Sequence, residues 1–162
     1  MDSPFLSDNA KTNIGKLDVR YHKSINGILK ECFGQTREYD SAKIHFGKFD
    51  LVSYLNITPH QIVLDGEECR IGHICSVATI ALFRGQGYAT ALLEEALEWM
   101  QEEGFIAASL EAENPTVYEK VGFCQAPEPN EDIMALLLVD WDVDVFSDKN
   151  MEAWSVLRNA AK

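Results

Sequence analysis

Basic residues are scarce in this 162-residue chain: 14 Lys and Arg stand against 26 Asp and Glu, for a formal net charge of −12. A nucleic-acid partner needs a basic footprint, so none is expected. No apolar run approaches the ~20 residues that span a bilayer, and no membrane partner is expected. Met1-Asp2-Ser3-Pro4-Phe5 has no basic n-region and no long apolar h-region. No signal peptide is therefore expected, and the cytoplasm is the default address. Cys32, Cys69, Cys75 and Cys124 form no C-x-x-C pair, which leaves a zinc ribbon or thioredoxin motif unsupported and predicts reduced, mostly buried thiols. The four histidines show no ligand spacing, so no metal site is expected. The G-x-x-x-x-G-K-[ST] phosphate loop is missing too.

What is present is an ordinary globular balance, 46% hydrophobic and 25% charged. It predicts a flexible polar arm over residues 1–13 and one domain over 14–162, with no repeat or linker. Lys16–Tyr21 reads as a strand and Ser24–Phe33 as a helix with Ile25, Ile28, Leu29 and Cys32 on one face. Ala42–Phe46 and Leu51–Ile57 read as strands joined by a turn at Gly47-Lys48. Gln61–Leu64 is a short strand, and the hairpin signal Asp65-Gly66 returns the chain through Cys69–Ile80. An apolar stripe through Ala89, Leu92, Leu93, Ala96, Leu97 and Met100 marks a helix over Tyr88–Glu103, capped by Gly104. Phe105–Leu110 is a buried strand, and Asn114-Pro115 starts a short helix that runs to about Val121. Strands from Gly122 to Gln125 and over Ile133–Val139 follow, around a turn at Ala126–Glu131. A last helix, capped by Ser147 or Asp148, turns Met151, Trp154 and Val156 or Leu157 inward. The fold class is α/β, a mixed α+β sheet: an antiparallel meander, then α-β-α-β-β, then a C-terminal helix.

Charge is uneven. Ten acids and a single base, Lys120, lie between Glu111 and Asp148. A solvated, solubilising surface explains such a run, and so does a field that draws a cationic substrate.

Arg84-Gly85-Gln86-Gly87-Tyr88-Ala89 joins the long strand to the amphipathic helix. A glycine turn at a helix start leaves outward backbone N–H groups, and the helix dipole adds positive character. That suits a phosphate or pyrophosphate. A dinucleotide fingerprint would need a third glycine where Thr90 stands, after antiparallel rather than βαβ strands.

About thirty residues on, Asn114-Pro115-Thr116-Val117-Tyr118-Glu119-Lys120-Val121-Gly122-Phe123 sets a tyrosine four positions before Gly-Phe. R-x-x-G-x-[GA], carried by Arg84, Gly87 and Ala89, together with Y-x-x-x-G-F, carried by Tyr118, Gly122 and Phe123, resembles the GNAT acetyltransferase superfamily over roughly Leu51–Leu138. Leu55-Asn56-Ile57-Thr58-Pro59, Val63–Glu67, Arg70-Ile71-Gly72 and Val77-Ala78-Thr79 look like the catalytic domain of Eis-type N-acetyltransferases. The resemblance implies acetyl-coenzyme A as cofactor and a primary amine, of a small molecule or a peptide, as acceptor. It implies that Val77, Ala78 and Thr79 bond the pantetheine arm and that Arg84, Gly85, Gln86, Gly87, Tyr88, Ala89 and Thr90 wrap the pyrophosphate. Asn114 would reach the cofactor arm and Tyr118 would protonate the leaving thiolate. Where some members carry a carboxylate base, this chain has Ile71. His73, on the same strand face, is the substitute, with Glu111 and Glu113 as contenders and water-mediated deprotonation as an alternative. Many members have proline where Ala81 stands.

An acetyl-coenzyme A-dependent N-acetyltransferase leads. A non-catalytic acyl-coenzyme A sensor or interaction module competes with it, and a Rossmann nucleotide domain ranks third. A homodimer is left open. Acceptor specificity is expected to rest on Gly34–Ser41 and Ala126–Glu131.

Overall fold

A computed structural model describes residues 13–160. The elements run β1 (Ile14–Leu17), α1 (His22–Phe33), β2 (Ile44–Lys48), β3 (Ser53–Leu64), β4 (Glu67–Thr79), α2 (Tyr88–Glu102), β5 (Ala107–Glu111), α3 (Thr116–Glu119), β6 (Cys124–Gln125), β7 (Ile133–Leu137) and α4 (Asp148–Ala160), with 3-10 turns at Val19–Tyr21 and Ala81–Phe83. The seven strands are ordered β1-β2-β3-β4-β5-β7-β6. β4 and β5 pair in parallel, as a strand-helix-strand crossover requires, while β1–β2, β2–β3, β5–β7 and β6–β7 are antiparallel. This is the mixed sheet that the order of strand and helix signals implies.

The chain divides into two compact units. The first takes the described residues up to Ile57 together with Ser76–Ala96. Here α1 lays Ile25, Ile28 and Leu29 on Leu17, Leu51, Tyr54 and Ala78, the i, i+3, i+4 stripe that the sequence shows. Gly34 ends α1 in the left-handed conformation, its N–H on the Lys30 carbonyl at 2.9 Å. Val52, Tyr88 and Ala91 form a second cluster with Ile14 and Phe83.

The second unit takes Thr58–Cys75 and the described residues from Leu97 on. Asp65 at φ 49° and Gly66 at φ 79° both lie in the left-handed region, the geometry of a two-residue hairpin turn. The Asn150 amide clamps that turn by accepting from Asp65 N–H and donating to Asp65 Oδ1, both at 2.9 Å. α4 then seats Trp154 and Leu157 on Ile62, Leu64, Cys69, Ile71, Ala107, Ile133 and Ala135. Gly104 closes α2 as expected: Phe105 N–H reaches the Met100 carbonyl at 3.0 Å and Gly104 N–H the Gln101 carbonyl at 3.2 Å.

Several expectations are corrected. Gly47-Lys48 belongs to β2 rather than to a turn. Gly47 is glycine because a Cβ there would lie 2.6 Å from the Ser53 carbonyl oxygen. The turn comes later, through Leu51 at φ 56°. Lys16–Tyr21 is not one strand: Asp18 accepts from Arg20 N–H at 3.0 Å and starts the 3-10 turn. β3 runs unbroken from Ser53 through Pro59 to Leu64, so the two strands expected over Leu51–Ile57 and Gln61–Leu64 are one, which starts after Leu51. The short helix spans one turn only. Of the thiols Cys69 is buried, Cys32 and Cys75 are half-buried and Cys124 is exposed. The arm expected over 1–13 lies, but for Asn13, outside the described residues.

Candidate functional site

In the first unit β4 ends with a change of hand. Ser76 sits at φ 56°, a left-handed conformation in a non-glycine strand residue. Val77, Ala78 and Thr79 follow, with Ala78 buried against the α1 cluster. The Thr79 hydroxyl lies 3.3 Å from Ser53 Oγ, and its carbonyl accepts from Arg84 Nε at 2.9 Å and from Cys32 Sγ at 3.5 Å. Arg84 is exposed and lies back along the strand end. Gly85 at φ 76° and Gly87 at φ 86° make the turn that follows. A Cβ on Gly85 would meet nothing within 4 Å, so glycine serves that position through its conformation rather than through crowding.

α2 starts at Tyr88, and Ala91 N–H is the first to return to the turn, on the Gly87 carbonyl at 3.0 Å. The N–H groups of Tyr88, Ala89 and Thr90 have no intrahelical acceptor by helix geometry. The first turn of α2 carries no acid to compete for them. Tyr88 itself points inward: it is 6% exposed, its ring edge-on to Phe83 at 5.8 Å. Of the expected pyrophosphate residues it can offer only its backbone.

In the second unit Tyr118 stands on α3, half-buried, its ring edge-on to Phe123 at 6.3 Å. Its carbonyl accepts from Val121 and Phe123 N–H, both at 3.1 Å, so the Gly-Phe of the motif is what folds the chain back around the tyrosine. Gly122, at φ 106°, allows that fold. Burial pushes the Tyr118 hydroxyl above its ordinary value, which favours a proton-holding phenol over a phenolate. Asn114 caps Thr116 N–H at 3.3 Å.

His73 is 3% exposed and its Nδ1 lies 2.7 Å from Ser109 Oγ, on the pair that the β4–β5 register sets opposite one another. Burial first, and then the His60 ring, lower its pKa to about 4. A general base working near neutrality does not fit that placement: His73 is neutral there, weakly basic, and enclosed. Glu111, at the end of β5, and Glu113 are both exposed.

His60, not singled out from sequence, stacks edge-on to His73 at 6.4 Å between ring centres. Its Nε2 and the Thr58 hydroxyl are buried with no partner among the described residues. The signal lies in the alternation: Asn56, Thr58 and His60 fall on one face of β3 by period-two spacing, between Tyr54 and Ile62. Among the described residues no three His, Cys, Asp or Glu side chains gather as a metal site would need. No described helix is long and apolar enough to cross a membrane.

The chain belongs to the GNAT acetyltransferase family: the model of an acetyltransferase (GNAT) domain matches residues 14–126, well over half of its length. The family is one of acyltransferases that use acetyl-coenzyme A. Solved structures share the fold. An Escherichia coli GNAT family N-acetyltransferase, YhbS, in complex with coenzyme A superposes with a TM-score of 0.63 at 19% identity, covering 78% of this chain and 81% of that one. A conserved Enterococcus faecalis V583 protein, described as a probable N-acyltransferase, gives 0.63 at 20% identity over 70% of this chain and 32% of its own. Eis1 from Mycobacterium abscessus gives 0.61 at 18% identity, over 71% of this chain and 32% of its own. The chain thus spans about a third of the length of the latter two. No curated protein matches the sequence.

Proposed function

We propose that this chain is an acetyl-coenzyme A-dependent N-acetyltransferase that acts on a primary amine of a small molecule or peptide in the cytoplasm. The observation that carries it is the turn Arg84–Gly87: two glycines at positive φ deliver the chain into an α2 first turn free of acids. The residues present suit an acyl-coenzyme A. Tyr88, Ala89 and Thr90 N–H, with the turn, would hold the pyrophosphate. Val77 and Thr79 would offer strand-edge bonds to the pantetheine arm.

When bound, the cofactor supplies an acetyl group activated as a thioester. The overall change forms a C–N bond, breaks a C–S bond, removes one proton from nitrogen and adds one to sulfur. Tyr118 would hold the second proton at Oη, its pKa kept high by burial. His73 is not assigned the first. The amine enters as its neutral fraction or loses its proton through water, and the acidic stretch from Glu111 to Asp148 favours attraction of a cationic acceptor.

Calorimetric titration of acetyl-coenzyme A into the wild type and into Gly87→Glu tests the reading, with melting curves to show that both are folded. Saturable binding lost in the variant upholds it. A folded wild type that binds no acetyl-coenzyme A ends it.

A further inference from the structure

The first unit holds a pocket that none of the cofactor residues explains. It is open to solvent and is lined by residues of α1, of the loop that follows it, and of β2 and β3. Its floor is built: His45, Tyr54 and Asn56 line it, with 6%, 1% and 3% of their surface exposed. His45 and Asn56 face each other across the β2–β3 register. His45 Nε2 lies 2.9 Å from the Asp40 carbonyl, which can only accept, so that nitrogen carries the ring proton. Nδ1 therefore accepts from the Tyr54 hydroxyl at 2.6 Å. Both His45 nitrogens are satisfied.

Asn56 Oδ1 is not: buried in the lining of this pocket, it has no partner among the described residues. An unpaired buried acceptor is costly, and a ligand N–H or O–H would remove the cost.

The walls say what else the ligand carries. The Tyr39 ring lies 4.7 Å from that of His45 and meets the His22 ring edge-on at 6.0 Å. Ile25 and Leu29 complete an apolar side. The surrounding charges, Arg37 and Lys43 against Glu38 and Asp40, are two of each sign. Their sum selects no polycation. The loop that brings them is tied down: Arg37 N–H donates to Asn26 Oδ1 and Ala42 N–H to Asp40 Oδ1, both at 2.9 Å. The site is thus shaped before a ligand arrives. Ile25, Leu29 and Tyr54 also pack in one cluster with Ala78, on the strand end assigned to the pantetheine arm.

We infer that this pocket takes the acceptor, a primary amine carried on a flat aromatic or heteroaromatic body, with the ring between the Tyr39–His45 wall and Ile25–Leu29 and a donor on Asn56 Oδ1. The assignment as acceptor rests on the acetyltransferase reading; the binding of such a molecule does not. It narrows the cationic acceptor suggested by the acidic stretch to a compact monoamine.

The test titrates tyramine into the full chain by calorimetry, with hexylamine and spermidine as comparison amines, then repeats it on Asn56→Leu and on Tyr39→Ala. Tyramine should bind saturably and tighter than either comparison amine. Each variant should weaken it roughly tenfold, the loss of one buried hydrogen bond or one aromatic wall. Tyr39→Ala lies in the loop and serves should Asn56→Leu fail to fold. Acetyl-coenzyme A affinity, measured alongside, should be unchanged in both. No tyramine binding, spermidine or hexylamine bound as tightly, or tyramine affinity untouched in the folded variants would overturn the pocket. Tyramine bound without acetyl-coenzyme A binding would uphold the pocket and end the acetyltransferase reading. Both bound, with spermidine acetylated and tyramine not, would overturn its role as the acceptor site.

Discussion

The two compact units hold their chemistry in different parts of the chain. In the first, the cofactor turn is made of backbone: Gly85 and Gly87 set the path, α2 presents N–H groups, and Tyr88 turns its side chain inward. In the second, the candidate group is a side chain, the Tyr118 hydroxyl, while the His73–Ser109 pair is enclosed in the sheet and His60 Nε2 is buried with no partner among the described residues. A backbone site depends on conformation, so it tolerates most side-chain changes and fails when a glycine is replaced. A side-chain site depends on burial and partners, so it fails when one functional group is removed and the fold is kept.

The largest effect should come from Gly87→Glu. A residue with a Cβ at φ 86° adds roughly 1–2 kcal/mol of backbone strain, and its carboxylate would sit where a pyrophosphate belongs. Acetyl-coenzyme A affinity should fall by about a hundredfold or more. Gly85→Ala keeps the space open and adds only the strain, so a loss of about tenfold is expected by calorimetry. Equal affinities in all three proteins would show that the turn is not the site.

Tyr118→Phe comes next and probes the other unit. It keeps the ring against Phe123 and removes one proton donor. Turnover should drop by about a hundredfold while acetyl-coenzyme A affinity stays level. A parallel loss of affinity would mean that Tyr118 binds rather than donates.

The contrast between units also explains what could be read from sequence. Glycine turns are local signals, so Gly85, Gly87, Asp65-Gly66 and the Gly104 cap were legible where they stand. The stripe of α1 and the inward Trp154 were legible for the same reason, as periodicity within one element. Leu51 at φ 56° gave no sign, because leucine is not a turn residue, and it moved the predicted turn to Gly47, a glycine placed by crowding. His73 could be put on a strand face, but Ser109 meets it from 36 residues away. The pocket on His45, Tyr54 and Asn56 likewise closes only when the loop after α1 returns to the sheet. Non-local partners decide whether a histidine is a base or a filled core position, and period-two alternation does not report them.

His73→Gln tests that last point through stability. The folded pKa of His73, about 4, lies below the unfolded value of 6.5. Between those pH values the unfolded chain binds the extra proton and the native one does not. Stability is therefore full above pH 6.5 and is lost as pH falls towards 4, by roughly 2–3 kcal/mol. Melting curves should show this slope in the wild type and a shallower one in His73→Gln. Burial lowers His45 and His60 as well, so some slope should persist. Turnover above pH 6.5 should change less than threefold, against the hundredfold of Tyr118→Phe.

Arg84→Ala should have the smallest effect, and it is the sharpest check on the backbone reading. The guanidinium is exposed and donates to the Thr79 carbonyl at 2.9 Å, so its charge faces water and is screened by salt. If amides hold the pyrophosphate, acetyl-coenzyme A affinity should weaken only two- to fivefold, by roughly the worth of one exposed charge, and the difference should shrink as ionic strength rises from 20 to 300 mM. A loss as large as that of Gly87→Glu, insensitive to salt, would move the phosphate site from the backbone to the side chain and erase the difference between the two units.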